Sequence, residues 1–409
     1  MASDRFVIVG GGLAGAKTAE MLRKEGFDGE LVLIGAEGEL PYERPPLSKD
    51  YLRGESPREN ARVHPEDFYG EQEIDLRLAT TVEAIDPNGR ELEFGGGERL
   101  GFDKLVLATG AEPRRLDVPG AALDGVHYLR TLPESDALAA KLDQGARVAV
   151  IGGGWIGAEV AASARQKGAE VTLVERAARP LERVLGAEAS EFYAELHRAN
   201  GVALHTQAQV ERFEGADRIE SVKLGDGTGV ACDLVVVGVG VMPRTGLAEA
   251  AGIALDNGIA VDERLETGVA GIFATGDVAN AYHPFYGHAL RVEHWANALH
   301  QPEVVARAML DKPASYDRLP YFFSDQYDVG MEYAGFAVEW DRVVFRGDPE
   351  SREFIAFWVK GGRVIAGMNV NVWDVTDAIQ DLIRSRREIR EEDLRDPDKP
   401  LEALADADR

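Results

Sequence analysis

The chain has 409 residues, a formal net charge of -26 and a single cysteine, Cys232. That length supplies two or three domains with a sizeable core, and no apolar run approaches membrane-spanning length. The acid excess argues against nucleic acid, whose phosphates need a basic surface, and a lone cysteine cannot form a redox disulfide, ligate an iron–sulfur cluster or hold a structural zinc.

In chain order, the N-terminus enters an apolar strand, Phe6-Val7-Ile8-Val9, almost at once. This leaves no room for a signal or transit peptide, and a cytoplasmic location is expected. Gly10-Gly11-Gly12-Leu13-Ala14-Gly15 follows directly, and then a helical pattern over about residues 14–25. A strand, a G-x-G-x-x-G turn and a helix together make a dinucleotide-binding fingerprint. Its glycines allow a tight turn, backbone approach to a pyrophosphate and close helix–strand packing, and the helix N-terminus offers N–H groups and a positive dipole end. After the second strand, Leu31-Val32-Leu33-Ile34, Glu37 is the candidate acid for the adenosine ribose, with Glu39 as a nearby competitor. Pro41-Tyr42-Glu43-Arg44-Pro45-Pro46-Leu47-Ser48-Lys49 reads as a proline-stiffened loop rather than an element. The strand Lys104-Leu105-Val106-Leu107-Ala108 then runs into Thr109-Gly110.

The unit restarts near residue 147. The strand Val148-Ala149-Val150-Ile151 leads into Gly152-Gly153-Gly154-Trp155-Ile156-Gly157, a helix over about residues 156–167 and the strand Glu170-Val171-Thr172-Leu173-Val174-Glu175. It closes at Leu234-Val235-Val236-Val237-Gly238, with Cys232 just before as a half-buried structural residue. Gly271-Ile272-Phe273-Ala274-Thr275-Gly276-Asp277 is a further apolar strand ending in a glycine turn, whose Asp277 is a candidate helix N-cap. From about residue 319 aromatic and β-branched residues alternate, as in Tyr321-Phe322-Phe323 and Phe354-Ile355-Ala356-Phe357-Trp358-Val359, which predicts an antiparallel sheet domain. The charged tail from about Arg384 reads as a loosely packed arm.

Two fingerprints imply that one dinucleotide passes something to the other. The order suggests a flavoprotein fed by a nicotinamide, with FAD on residues 10–15 and the nicotinamide dinucleotide on residues 152–157. Hydride transfer then needs orientation and electrostatics from the protein and no acid–base dyad. Glu175 at its strand end disfavours a 2′-phosphate and so favours NADH over NADPH, although Arg176 beside it is able to pair with that phosphate.

Here the chain resembles the FAD-dependent NADH:ferredoxin reductases of bacterial oxygenase systems (the putidaredoxin reductase and rhodocoxin reductase family), relatives of apoptosis-inducing factor. The resemblance covers nearly the whole chain. It rests on the two glycine turns and residues 41–49, on Leu107-Ala108-Thr109-Gly110 and Thr275-Gly276-Asp277, and on Arg291-Val292-Glu293-His294-Trp295. Ser324-Asp325-Gln326-Tyr327 and Asn369-Val370-Asn371-Val372-Trp373-Asp374 complete it, in this order. It implies an α/β fold with two Rossmann-like dinucleotide-binding domains (glutathione-reductase-like) and a C-terminal α+β domain. The implied boundaries are 1–112 with 245–318 for a discontinuous FAD domain, 113–244 for the NAD domain and 319–409 for the last. FAD would be held by Gly10, Gly12, Ala14, Gly15, Glu37, Arg44, Lys49, Val82, Arg130, Asp277 and Trp295. NADH would be held by Gly152, Gly154, Ile156, Gly157, Glu159, Glu175, Arg183 and Gly238. The resemblance also places Lys49 and Glu159 together at the flavin edge as the catalytic pair, where a cation stabilises the anionic reduced flavin; no metal is implied.

The implied activity is that of an FAD-dependent NADH:ferredoxin oxidoreductase. Its partner would be a small acidic [2Fe–2S] ferredoxin serving a cytochrome P450 or a ring-hydroxylating dioxygenase, with the enzyme a monomer or homodimer. Two alternatives stay open: a reductase for rubredoxin, a quinone or oxygen, and a redox-controlled binding protein like apoptosis-inducing factor. The chain departs from the family pattern at Ala36, where an acid is common, at Phe323, where a tryptophan is common, at Arg244, where Asn is common, and at Glu303, where some relatives are basic.

Overall fold

Runs of four or five apolar residues form strands buried on both faces, the pattern that parallel sheets require. The structure, a computed structural model, describes residues 4–142 and 144–405. They divide into two units. The first comprises Met1–Glu43, Arg58–Glu112 and Val241–Pro320, and the second Arg44–Pro57, Pro113–Gly240 and Tyr321–Arg409.

The first unit is built on a five-stranded parallel sheet in the order Ile272–Ala274, Lys104–Leu107, Arg5–Val9, Glu30–Ile34, Ile74–Arg77. Val7 lies opposite Val32 on one side and Leu105 on the other, and all three are buried. Arg5–Val9 therefore has neighbours reached by crossovers in opposite directions. Ligands bind at the carboxyl end of such a strand, and Gly10 begins there. A smaller antiparallel sheet of Val82–Asp86, Glu91–Phe94 and Arg99–Gly101 belongs to the same unit.

The second unit repeats the plan. Its parallel sheet runs Ala203–His205, Glu170–Val174, Arg147–Ile151, Leu234–Val237, Val126–Tyr128, and Gly152 stands at the corresponding switch point. The same unit holds a five-stranded antiparallel sheet in the order Tyr321–Gln326, Val329–Gly335, Arg363–Val370, Glu353–Lys360, Arg342–Asp348. Aromatic contacts knit the two sheets' elements together inside the unit. The Trp155 ring meets Phe322 at 5.1 Å between centroids, and buried Trp358 donates its indole N–H to the Leu185 carbonyl at 3.1 Å.

Several details differ from the sequence-based expectation. Residues 41–49 are not purely irregular: Pro45–Ser48 forms a turn of 3₁₀ helix and Asp50–Arg53 a short α-helix, because proline is well placed in a first helical turn. The tail is not a loose arm. Short helices Glu391–Arg395 and Leu401–Ala405 bury Leu394 and Leu401, and Ile389 is buried beside them; the spaced apolar residues outweigh the charged composition. Cys232 is fully buried rather than half-buried, and burial pushes its thiol up to about 12. Asp277 lies inside a 3₁₀ turn, Gly276–Val278, whose N-cap is Thr275. Among the described residues no helix is long and apolar enough to cross a membrane.

Candidate functional site

The glycines of each turn are required for three different reasons. Gly10 has φ 132°, and a Cβ there would stand 2.0 Å from the Ala108 carbonyl oxygen. A Cβ on Gly15 would stand 1.9 Å from the Gly10 oxygen. At Gly12, between them, a Cβ would meet nothing within 4 Å. The second turn matches point for point. Gly152 has φ 99° and would strike the Gly238 oxygen at 2.3 Å, Gly157 would strike the Gly152 oxygen at 2.0 Å, and Gly154 faces open space. The outer glycines thus serve the turn and the helix packing. The middle ones leave room that the chain itself does not fill, at the N-terminus of a helix, where a pyrophosphate needs close backbone approach. The residues fit a dinucleotide in each turn.

In the second unit Glu175 directly follows Glu170–Val174 and reaches back to its turn. Its Oε2 accepts the Gly153 N–H at 2.6 Å and its Oε1 the Ala177 N–H at 2.8 Å. The carboxylate is thereby held beside the fingerprint, where a ribose hydroxyl would be read. Arg176 and Arg183 are exposed. Ile156, in the first turn of the helix Trp155–Gln166, is 39% exposed, unusual for so large an apolar side chain. Gly238 donates its N–H to the Ile151 carbonyl at 2.7 Å, closing the two strands over the turn.

In the first unit Glu37 stands three residues beyond Glu30–Ile34 and accepts the Tyr42 hydroxyl at 2.5 Å. Ala14 lies in the first turn of the helix Leu13–Lys24, and its Cβ is 3.0 Å from where a Gly276 Cβ would be. The Thr275-Gly276-Asp277 turn thus covers the start of that helix. Gln301, buried, fastens it by accepting the Gly276 N–H at 2.8 Å; sequence reasoning gave Gln301 no part. Trp295 opens the helix Trp295–Met309 and donates its indole N–H to Glu43 Oε2 at 3.1 Å, and burial holds the Glu43 carboxyl above its usual range. Val82 is buried where Val82–Asp86 begins, in the small sheet.

Arg44 and Arg130 meet in the second unit: the Arg44 guanidinium donates to the Arg130 carbonyl. Lys49 and Glu159 meet there too, at 3.2 Å between Nζ and Oε1. The residues are 7% and 6% exposed, so the pair is out of water. Ser48 donates to Glu159 Oε2 at 2.5 Å and Ser324 donates to Oε1 at 2.7 Å. Lys49 also donates to the Pro45 carbonyl at 3.2 Å and stands 5.1 Å from the centre of the Phe323 ring, within cation–π range. The segment carrying Lys49 is pinned by two buried hydroxyls, with Ser135 donating to the Leu47 carbonyl at 2.9 Å and Ser163 to the Ser48 carbonyl at 2.7 Å. Ser48 and Ser324 lie inside motifs that carry the family resemblance, but nothing in a linear pattern shows that both point at Glu159. Among the described residues no group of His, Cys, Asp and Glu is placed to hold a metal ion.

Residues 4–301 match the family described as pyridine nucleotide-disulphide oxidoreductase. The chain belongs to that family. Residues 321–405 match the family described as reductase C-terminal. The chain is 40% identical over 406 residues, 98% of each chain, to the 5,5′-dehydrodivanillate O-demethylase ferredoxin reductase subunit of a Sphingobium species. It is 37% identical to putidaredoxin reductase CamA of Pseudomonas putida, covering 98% of this chain and 97% of that one. Among solved structures, the covalent putidaredoxin reductase–putidaredoxin complex matches with a TM-score of 0.95 at 37% identity, over 99% of this chain and 98% of that one. With one cysteine, itself buried, this member has no dithiol for the chemistry in the family's name.

Proposed function

We propose that this chain is an NADH-dependent ferredoxin reductase supplying a [2Fe–2S] ferredoxin of a cytochrome P450 or ring-hydroxylating dioxygenase system. The observation that carries the reading is the pair of open glycines, Gly12 and Gly154, each at a switch point in a chain without a redox disulfide. The acceptor is supported by the relatives, which are named for ferredoxins and for oxygenase systems. Bound FAD would accept the hydride of NADH and pass its two electrons on one at a time.

The chain's own contribution is binding, orientation and charge. Gly10, Gly12, Ala14 and Gly15 would hold the FAD pyrophosphate, with Glu37, Val82, Asp277 and Trp295 along the cofactor; Arg44, Lys49 and Arg130 are proposed as further FAD contacts. Gly152, Gly154, Ile156, Gly157, Arg183 and Gly238 would hold NADH, and Glu175 would take its ribose and disfavour a 2′-phosphate. Lys49 supplies a buried positive charge and Glu159 fixes its direction, so the field at this point is set before any reaction begins. The work would divide between residues 1–112 with 245–318, residues 113–244 and residues 319–409. A cytoplasmic setting goes with this reading.

The test is reduction of cytochrome c by NADH with and without a [2Fe–2S] ferredoxin. Ferredoxin-dependent turnover supports the proposal. Equal rates without ferredoxin, or faster rates with rubredoxin or a quinone, overturn the acceptor. A long-lived coloured complex with NADH and negligible turnover points instead to a redox-controlled binding protein.

A further inference from the structure

Behind Glu159 a line of buried polar groups continues within the same unit. Gln326 Nε2 donates to Ser324 Oγ at 3.3 Å. His197 Nε2 lies 3.0 Å from Gln326 Oε1, and its Nδ1 lies 3.1 Å from the Tyr327 hydroxyl. Ser324, Gln326 and His197 are each no more than 1% exposed. Burial depresses the His197 pKa to about 4, so the imidazole is neutral and carries one N–H. Burial raises the Tyr327 phenol well above its ordinary value, so it keeps its proton. Tyr327 also adopts φ 59°, a backbone conformation uncommon for a bulky residue, at the turn that carries its hydroxyl toward His197.

One proton arrangement satisfies the whole line with an ionised Glu159. Tyr327 donates to Nδ1, His197 donates from Nε2 to Gln326 Oε1, Gln326 donates to Ser324, and Ser324 donates to the carboxylate. If the Gln326 amide turns over, its oxygen faces Ser324, the serine hydroxyl turns away to donate to it, and the Glu159 carboxylate loses one of its two hydroxyl donors. With its proton on Nε2, His197 holds the amide in the first orientation.

We propose that His197, acting through Gln326 and Ser324, is a positioning residue that keeps the Ser324 hydroxyl donating to the Glu159 carboxylate and that carboxylate aimed at Lys49. The proposal rests on the reading of Lys49 and Glu159 as the pair at the hydride step. Other groups facing Glu159 also act on it. Lys49 lies 3.2 Å from it, and burial raises the neighbouring Asp325 carboxyl, with Lys49 lowering it and Glu159 raising it. Asp50 and Arg53 bear on that same Asp325 carboxyl. The Tyr193 phenol, wholly buried, senses both Glu159 and Asp325.

The experiment is a pH titration of the Glu159 carboxyl in the FAD-loaded protein by infrared difference spectroscopy, using Glu159→Gln to assign the band. Stopped-flow reduction by NADH is followed over the same pH range. His197→Phe is expected to raise the Glu159 midpoint by about one pH unit or more, tenfold in proton affinity, and to move the acid limb of flavin reduction by the same amount. His197→Gln, which restores a donor at the position of Nε2, is expected to return both toward wild type. If His197→Phe does not fold, Gln326→Leu cuts the same line. An unshifted midpoint in a folded variant that cuts the line overturns the proposal, because a merely structural histidine lowers stability without moving this midpoint. If instead the midpoint shifts but Glu159→Gln reduces its flavin at the wild-type rate, the reading of the pair at the hydride step fails while the positioning role of His197 stands.

Discussion

Lys49 and Glu159 permit a quantitative test, because the contacts of both are known. Lys49→Met removes the cation at nearly constant volume and leaves a buried carboxylate with two serine donors. Glu159→Gln leaves a buried ammonium with the Pro45 carbonyl and the Phe323 ring. Breaking a buried pair by removing one partner costs about 3–5 kcal/mol, and the remaining hydrogen bonds put each single variant near the lower end, about 3 kcal/mol. The double variant contains no uncompensated charge, so its loss is expected to be no larger than that of either single variant, giving a coupling energy of about 3 kcal/mol. In a domain of this size each single variant should unfold about 6–12 °C lower than wild type. Thermal unfolding of the four proteins, together with reversible denaturant titrations, measures the cycle. Double-variant losses equal to the sum of the singles within about 0.5 kcal/mol would show that the two charges do not interact and refute the argument. The functional half is read separately: Lys49→Ala should keep its flavin and reduce it at least about tenfold more slowly with NADH, a barrier change of about 1.4 kcal/mol. Unchanged reductive kinetics would remove Lys49 from the hydride step.

The glycine turns predict opposite phenotypes for substitutions two residues apart. Gly12→Ala should leave the melting temperature of the flavin-free protein nearly unchanged but abolish flavin retention, whereas Gly10→Ala, which meets a carbonyl at 2.0 Å, should destabilise the fold itself; thermal melts and flavin absorbance of the purified variants distinguish them. Glu175→Gln keeps the size of the side chain but weakens its acceptance of the Gly153 N–H, and should raise the KM for NADH about tenfold, or about 1.4 kcal/mol, with little change for NADPH. His197 makes stability fall in acid. Its pKa of about 4 in the folded protein lies below the unfolded value of 6.5, so its contribution is complete above pH 6.5 and is lost as pH falls from there toward 4. The integrated loss is about 3 kcal/mol, and it should be missing from denaturant titrations of His197→Gln. Cys232, buried with its thiol raised to about 12, should resist alkylation in the folded protein and react on denaturation, as mass spectrometry would show, and Cys232→Ala should turn over normally.

The two dinucleotide turns are legible in the amino-acid order alone. The contacts between Gly15 and Gly10 and between Gly157 and Gly152 are made within a few residues, so a short window records them, whereas Gly10 and Gly152 meet Ala108 and Gly238 at the ends of adjoining strands distant in sequence. Glu175 is legible for the same reason, since its place follows from where its strand ends. The lone cysteine excludes disulfide chemistry by count alone, because one thiol has no partner within the chain. Composition misleads about the tail: it reports charge, while packing there is decided by Ile389, Leu394 and Leu401, too far apart to form a run.

What surrounds Glu159 depends instead on packing between distant segments. Ser48 and Ser324 reach it across 111 and 165 residues of chain, and His197 joins through Gln326, 129 residues away. Such long-range hydrogen bonds follow from how the helix Trp155–Gln166, the segment before Asp50 and the strand Tyr321–Gln326 pack inside one unit. Residue spacing carries no trace of that packing. The same burial sets the properties that matter, a neutral imidazole and an ion pair sheltered from water, because the cost of charge depends on solvent access rather than on residue type.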